Sequence, residues 1–246
     1  MRVAGCWLAI ICLLLTLSGC ASRSEWVTLA EYATSLKGRT SGQRHNALLA
    51  ARKLHRAEIA PRATFSFNAR VGQWVRSEGF RRAPVSYGGV LVPAWGGGVC
   101  QTSTTLYNAA LLAGLDIVER HPHTIAPSYV PVGQDAAVAQ GIADLKVRNP
   151  YPFPVRIECE VQVYRLVCRV RAKASRTVIR QTVPAVLLQR EQTDWQPPPR
   201  VAGFNPQPGR PGVRVRLWRI RLLNSREERE LCHESEYLPL PRGISD

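Results

Sequence analysis

Three consecutive glycines, Gly96, Gly97 and Gly98, stand just ahead of Cys100 in the segment GGGVCQTSTTLYNAALLAGL, residues 96–115. Glycine lets a backbone turn tightly and approach other chain segments closely. Leu106, Ala109, Ala110, Leu111 and Ala113 then recur at helical spacing, and Gly114 is placed to end the helix with a positive φ. The segment therefore predicts a loop and then a helix of about four turns starting at Cys100 and Gln101. A chain built this way must hold a cysteine at the N-terminus of a helix, and the rest of the fold has to be arranged around that point.

Unpaired amides and the positive end of the helix dipole favour a thiolate over a thiol, and the same amides can hold an oxyanion. Cys100 is thus a candidate nucleophile, or alternatively the inert buried thiol of a tight strand-to-helix turn. A nucleophilic cysteine needs a base and a group to orient that base. His121 and His123 follow in ERHPHTIAPSYVPVGQDAAV, two residues apart and able to project to one side of an extended segment. His123 is the expected base, with Asp135 or Asp144 as its orienting carboxylate. Gly97, Gly98, Gln101, Thr104, His121 and Tyr129 are expected to line the binding surface around the thiol. One Cys and two His would also suit zinc, but Cys100, His121 and His123 lack a recognised metal spacing, so no metal or cofactor is assigned. His45 and His55 sit among charged residues and read as solvated surface.

Around this centre the pattern is α+β, a mixed or antiparallel sheet packed with two principal helices. SGQRHNALLAARKLHRAEI, residues 41–59, reads as one amphipathic helix with Leu48, Leu49, Ala51 and Leu54 on one face, closed by Pro61. Short strands and loops follow up to Val92. Asp116–Val118 and the region from Tyr129 to Val138 read as extended, and DLKVRNPYPFPVRIECEVQVYRLVCRVRA as successive strands. If Val163-Tyr164 is a two-residue turn, Cys159 faces Cys168 in a non-hydrogen-bonded pair. That placement suits a disulfide in an oxidising compartment, or else two buried thiols. Proline-rich residues near 196–212 read as an excursion between strands, and VRVRLWRIRLL with ELCHESEYLPLP as a C-terminal hairpin able to add to the same sheet.

Residues 1–20, MRVAGCWLAIICLLLTLSGC, carry a positive start, an apolar run and small residues before Cys20. This is the pattern of a secretory signal, too short for a comfortable transmembrane helix. Leu17-Ser18-Gly19-Cys20 resembles a bacterial lipobox, in which residues 1–19 are removed and Cys20 is acylated; an ordinary cleavable signal or an uncleaved anchor is the alternative. Residues 20–40 then form a tether and N-terminal segment, and residues 41–246 the folded domain. The expected location is outside the cytoplasm, as a membrane-anchored lipoprotein on the periplasmic or extracellular side. Lys and Arg total 33 against 18 Asp and Glu, a formal +15, with all but four of the cations arginine. For an exported protein such charge favours anionic lipid and the anionic polymers of the wall, including peptidoglycan, and not nucleic acid.

The stretch from Gly96 to Asn149, with GGGVCQTSTTLYNAALLAGLDIVERHPHT at its head, resembles the VanW family of bacterial cell-envelope proteins, named for an accessory protein of vancomycin resistance. The resemblance extends over most of residues 30–172 and again near LCHESEYLPLP. It implies an exported or membrane-anchored protein with a role in the envelope, and it brings no assigned catalytic residue. Two functions are expected from the sequence: a cysteine-dependent hydrolase or transferase acting on peptidoglycan amide bonds, or a non-catalytic peptidoglycan-binding or envelope-assembly factor.

Overall fold

The computed structural model describes residues 25–87, 90–195 and 208–241. The signal segment, Cys20 and most of the proline-rich link lie outside the described residues. In chain order the first half comprises β1 (Trp26–Ser35), α1 (Ser41–Leu54), β2 (Ala57–Ile59), β3 (Thr64–Ser66), α2 (Phe67–Val71), β4 (Arg82–Tyr87), β5 (Val90–Trp95), α3 (Val99–Leu112) and β6 (Asp116–Glu119). The second half comprises β7 (Lys146–Arg148), β8 (Val155–Gln162), β9 (Arg165–Lys173), α4 (Arg176–Thr182), β10 (Ala185–Trp195), β11 (Pro208–Arg210), β12 (Gly212–Leu223), β13 (Arg226–Tyr237) and β14 (Leu240–Pro241). The fold is α+β with antiparallel strand pairing throughout, and α1 and α3 are its two long helices. Among the described residues no helix is long and apolar enough to cross a membrane.

Helix α1 begins where Thr40 and Gln43 cap each other, the Thr40 hydroxyl accepting from the Gln43 N–H while Gln43 Oε1 accepts from the Thr40 N–H. It stops at Leu54, because Arg56 turns to φ 61° and the chain re-emerges as β2. The helix expected to continue to Ile59 is therefore shorter by a strand. Its buried face is Asn46, Ala47, Ala50, Ala51 and Leu54, while Leu48 and Leu49 are only half-buried. Small alanines on that face let α1 lie close against α3 and β8.

The central sheet runs β1-β9-β8-β2. Residues 26–35, part of the expected tether and N-terminal segment, form its edge strand, paired with β9 from Trp26 opposite Lys173 to Ser35 opposite Arg165. β8 and β9 form the hairpin about Val163-Tyr164, with Cys159 opposite Cys168, a Cα separation of 4.2 Å and a disulfide between them. The C-terminal hairpin β12–β13 does not join this sheet: β12 pairs with β10 on its other side, making a second sheet, β10-β12-β13. Arg214, Arg216, Arg219 and Arg221 on β12 face Glu236, Glu234, Glu230 and Glu228 on β13, so cross-strand ion pairs fix the register that the apolar pattern alone leaves loose. The proline-rich link connects β10 to β12, whose ends meet at Trp195 and Gly212. Residues 129–138, expected to be extended, form turns and loop, with Ala137 bridging to His121.

Helix α3 lies between α1, β1, β9 and β10 and is buried on every side from Gln101 to Leu111. Such a helix is normally apolar all round. Here Gln101, Thr102, Ser103, Thr104, Thr105 and Asn108 are buried too, and each finds a partner. Gln101 Nε2 donates to Thr34 Oγ1 and Ser35 O at 3.1 and 2.8 Å, tying α3 to the edge strand. On the opposite side Ser103 Oγ donates to Ala136 O at 2.6 Å, and Asn108 Nδ2 to Gln134 O at 2.7 Å. The polar residues of α3 therefore hold the loop that carries Asp135.

Candidate active site

The three glycines do what their position suggested, for a steric reason. Gly98 caps α3 at φ 105°, and a Cβ there would lie 2.3 Å from Gln43 O. A Cβ on Gly97 would lie 2.6 Å from Ala83 O and from Pro84 O. Only glycine lets the start of α3 lie this close to α1 and β4. Asn46 of α1 latches the loop, its Nδ2 donating to Gly97 O and Arg81 O, each at 2.9 Å. Gly97 and Gly98 are thus structural, and Gln101 is committed to β1, although all three were expected at the binding surface.

Cys100 is half-buried in the first turn of α3. Its Sγ–H donates toward Val138 O at 3.4 Å, and its backbone N–H has no acceptor among the described residues. His123 lies within electrostatic reach of the sulfur, and each group shifts the titration of the other. The Nδ1 of His123 faces Asp135 Oδ2 at 2.6 Å, and the His123 backbone N–H donates to the same oxygen at 2.7 Å. With Nδ1 committed, Nε2 is the nitrogen left for the sulfur. The His123 side chain is 21% exposed and that of Asp135 1%, so the relay runs from the surface inward.

Asp135 accepts at Oδ1 from Arg120 Nη2 at 2.8 Å and from the Tyr237 hydroxyl. Burial opposes its charge, but the His123 hydrogen bond and the Arg120 guanidinium outweigh burial and hold the carboxyl well below the usual carboxylate range. Burial likewise opposes the His123 cation, and the Asp135 and Cys100 contacts override it, raising the imidazole to about 10. Burial pushes the Cys100 thiol up, whereas the hydrogen bond and charge of His123 pull it down further, so the net direction is down. The electrostatics therefore favour the thiolate over the thiol and the imidazolium over the neutral ring, beside an anionic carboxylate.

The other expected residues divide. Thr104 Oγ1 accepts from Ala136 N–H at 3.0 Å and lies 3.5 Å from the Tyr129 hydroxyl, with Tyr129 within electrostatic reach of Cys100 and Arg39 stacked 4.9 Å over its ring. Asp144 is not at the site: it accepts from Ser66 Oγ and from the N–H groups of Asn68 and Leu145, capping α2. His121 turns away to Glu119, Nε2 to Oε1 3.0 Å. Cys100, His121 and His123 therefore do not converge, and among the described residues no cluster of three potential metal ligands forms. A cavity of about 420 Å³ between α1 and the β8–β9 turn, and one of about 220 Å³ against β13, are both lined without Cys100.

Arg120, Ser103, Asn108 and Tyr237 are the site residues that sequence reading missed. Ser103 and Asn108 stand in the sequence as polar residues of the helical run, but nothing local sets them apart from Thr102 and Thr105. Nothing in the spacing of Arg120 or Tyr237 marks them, since they reach Asp135 only through the tertiary fold.

A family model described as VanW like protein matches residues 42–171. Over 132 residues the chain is 39% identical to the uncharacterized protein YoaR of Bacillus subtilis (strain 168), covering 54% of this chain and 44% of that one. Over 109 residues it is 34% identical to the vancomycin B-type resistance protein VanW of Enterococcus faecalis (strain ATCC 700802 / V583), covering 42% of this chain and 40% of that one. The chain thus matches less than half the length of either relative. No solved structure matches it. Cys100, His123 and Asp135 all fall inside the matched segment, while Tyr237 lies beyond it.

Proposed function

The chain belongs to the VanW family, and from that premise we propose that it is an envelope protein in which Cys100 is the nucleophile of an amide hydrolase or transferase acting on peptidoglycan. The observation that carries this reading is the contact of His123 Nδ1 with Asp135 Oδ2 at 2.6 Å, with the imidazole within electrostatic reach of Cys100. A base oriented by a carboxylate and close to a cysteine thiol is the arrangement nucleophilic catalysis requires.

The Cys100 thiolate attacks the amide carbonyl carbon, and its own backbone N–H, at the positive end of α3 and with no acceptor among the described residues, donates to the developing oxyanion. Protonated His123 gives its Nε2 proton to the departing amine, and the C–N bond breaks to leave a thioester on Cys100. Neutral His123 then takes a proton from water or an acceptor amine as that group attacks the thioester. The tetrahedral species collapses with loss of the thiolate, giving acid in the hydrolase case and a new amide in the transferase case. Asp135 stays ionised throughout and holds the ring.

Iodoacetamide alkylation of Cys100 against pH, in wild type and His123→Ala, tests the nucleophile, with Cys100→Ser as the blank. The expected result is rapid labelling at neutral pH that His123→Ala loses; labelling no faster than an exposed thiol of pKa ~8.5 would leave the non-catalytic wall-binding role as the better account. Release or exchange of amide-linked fragments from purified peptidoglycan, absent in Cys100→Ser, tests the reaction itself.

The envelope location rests on the apolar segment ending in Leu17-Ser18-Gly19-Cys20 and on the formal charge of +15. In this reading Cys20 carries acyl groups, such as palmitate, that hold the protein to the membrane beside the wall. The relative named for vancomycin resistance supports an envelope role. Intact mass of the membrane fraction checks the anchor: the mature chain begins at Cys20 with added acyl mass, and Cys20→Ser releases it.

A further inference from the structure

We propose that Arg120 and Tyr237 are positioning residues of the Cys100–His123–Asp135 site, so that the C-terminal strand β13, beyond residues 42–171 matched by the family model, is part of the catalytic unit. The inference rests on the nucleophile reading of Cys100 and extends it to the other sheet.

The geometry is a second layer of buried contacts behind Asp135. Both carboxylate oxygens are used: Oδ2 by the backbone and ring of His123, Oδ1 by Arg120 Nη2 and the Tyr237 hydroxyl. Arg120 is itself fixed on several sides. Its Nε donates to Asp135 O at 2.7 Å, its Nη1 to Ser235 Oγ at 2.6 Å, and its Nη2 also to the Tyr237 oxygen at 3.1 Å, while its guanidinium lies 5.8 Å from the Tyr107 ring centroid. Two of these anchors, Ser235 and Tyr237, come from β13, and so does His233, whose Nδ1 lies 3.4 Å from Arg120 Nη1. A carboxylate with every lone-pair direction occupied cannot rotate, and this fixes the plane of the imidazole in front of it.

The electrostatics give the arrangement a sign. The charged or titratable groups facing Asp135 and Cys100 are Arg120 and His123 from the 120–123 segment, Tyr107 from α3, Tyr129 from its loop, and His233 and Tyr237 from β13. Burial keeps the three tyrosines neutral, and His233 is neutral because burial and then Arg120 disfavour its cation. Arg120 is thus the fixed cation of the cluster, and the Tyr237 hydroxyl turns the positive end of its dipole to Asp135. Removing either makes the local potential more negative, which raises the proton affinity of Asp135, His123 and Cys100 together. The thiolate then forms at higher pH.

The test follows alkylation of the full chain by iodoacetamide against pH, read at the Cys100 peptide by mass spectrometry so that Cys232 does not contribute. Wild type, Tyr237→Phe, Arg120→Gln and Arg120→Lys are compared, and thermal melting is recorded for each. We expect the acid midpoint of labelling to rise by about 0.5 pH unit in Tyr237→Phe and about 1 unit in Arg120→Gln, with Arg120→Lys restoring part of the loss. Variants that melt earlier yet keep the wild-type midpoint would reduce both residues to packing and overturn the proposal. If Arg120→Gln does not fold, Tyr237→Phe, which removes a single hydroxyl, decides alone. A wild-type midpoint near ~8.5 overturns the nucleophile reading and this inference with it, whereas a depressed wild-type midpoint that neither variant moves overturns this inference only.

Discussion

Asp135 Oδ2 accepts hydrogen bonds from both the backbone N–H and the Nδ1 of His123, at 2.7 and 2.6 Å. One oxygen thereby fixes the backbone and the ring of the same residue, leaving the imidazole a single orientation toward Cys100. Asp144, nine positions later, holds α2 instead.

The two carboxylates therefore separate by experiment. Asp135→Asn is expected to lose most of the neutral-pH alkylation of Cys100, because the amide neither stabilises the imidazolium nor carries its charge. Asp144→Asn is expected to leave the labelling profile unchanged and to cost about 1–2 kcal/mol in urea unfolding, the worth of a weakened buried cap. Loss of labelling in Asp144→Asn with none in Asp135→Asn would reverse the assignment.

Gly98→Ala is expected to destabilise the protein by about 2–3 kcal/mol or more, since its Cβ would collide with Gln43 O at 2.3 Å on a backbone at φ 105°. Thermal melting reads the loss, and a variant as stable as wild type would show that the α3 start can move. In a folded variant the displaced helix start should also slow Cys100 labelling, which distinguishes the steric role of Gly98 from contact with a substrate.

His233 predicts a pH dependence of stability. Burial first, and then the Arg120 guanidinium, lower its imidazole to about 3, against roughly 6.5 in the unfolded chain. Between those values the unfolded state binds the extra proton, so this contribution is fully present above ~6.5 and is lost as pH falls toward the folded value. Urea unfolding at neutral, mildly acid and more acid pH is expected to show the decline in wild type and a much shallower one in His233→Gln. Equal slopes would mean that His233 is protonated in the folded protein.

Val163 occupies the turn of the β8–β9 hairpin at φ 56°, a conformation that costs a β-branched residue about 1–2 kcal/mol. Its side chain is 88% exposed, so little packing is lost on removing it. Val163→Gly relieves the strain and gives back part of the gain as unfolded-chain entropy, for a net stabilisation of about 0.5–1 kcal/mol. Thermal melting checks the sign, and a lower melting temperature would show that Val163 contributes contacts beyond its exposure.

The features legible in the amino-acid sequence are those decided by neighbours along the chain. The helix beginning at the glycine–cysteine junction, its end near Gly114, and the β8–β9 register that sets Cys159 against Cys168 each follow from local spacing and turn chemistry. Helical period and two-residue turns act over a few residues, so a short window contains the whole interaction. The assignment of β1 to the sheet edge, the separation of the C-terminal hairpin into a second sheet, and the choice of Asp135 over Asp144 were decided by tertiary structure. The side chains that settle the last of these, Arg120 and Tyr237, are separated by 117 positions and meet at one carboxylate. A loop aspartate can serve as a cap or as a partner of histidine with the same local sequence; which it becomes depends on the buried donors that distant strands bring to it, because an ionised carboxylate is retained in the interior only where its lone pairs are satisfied.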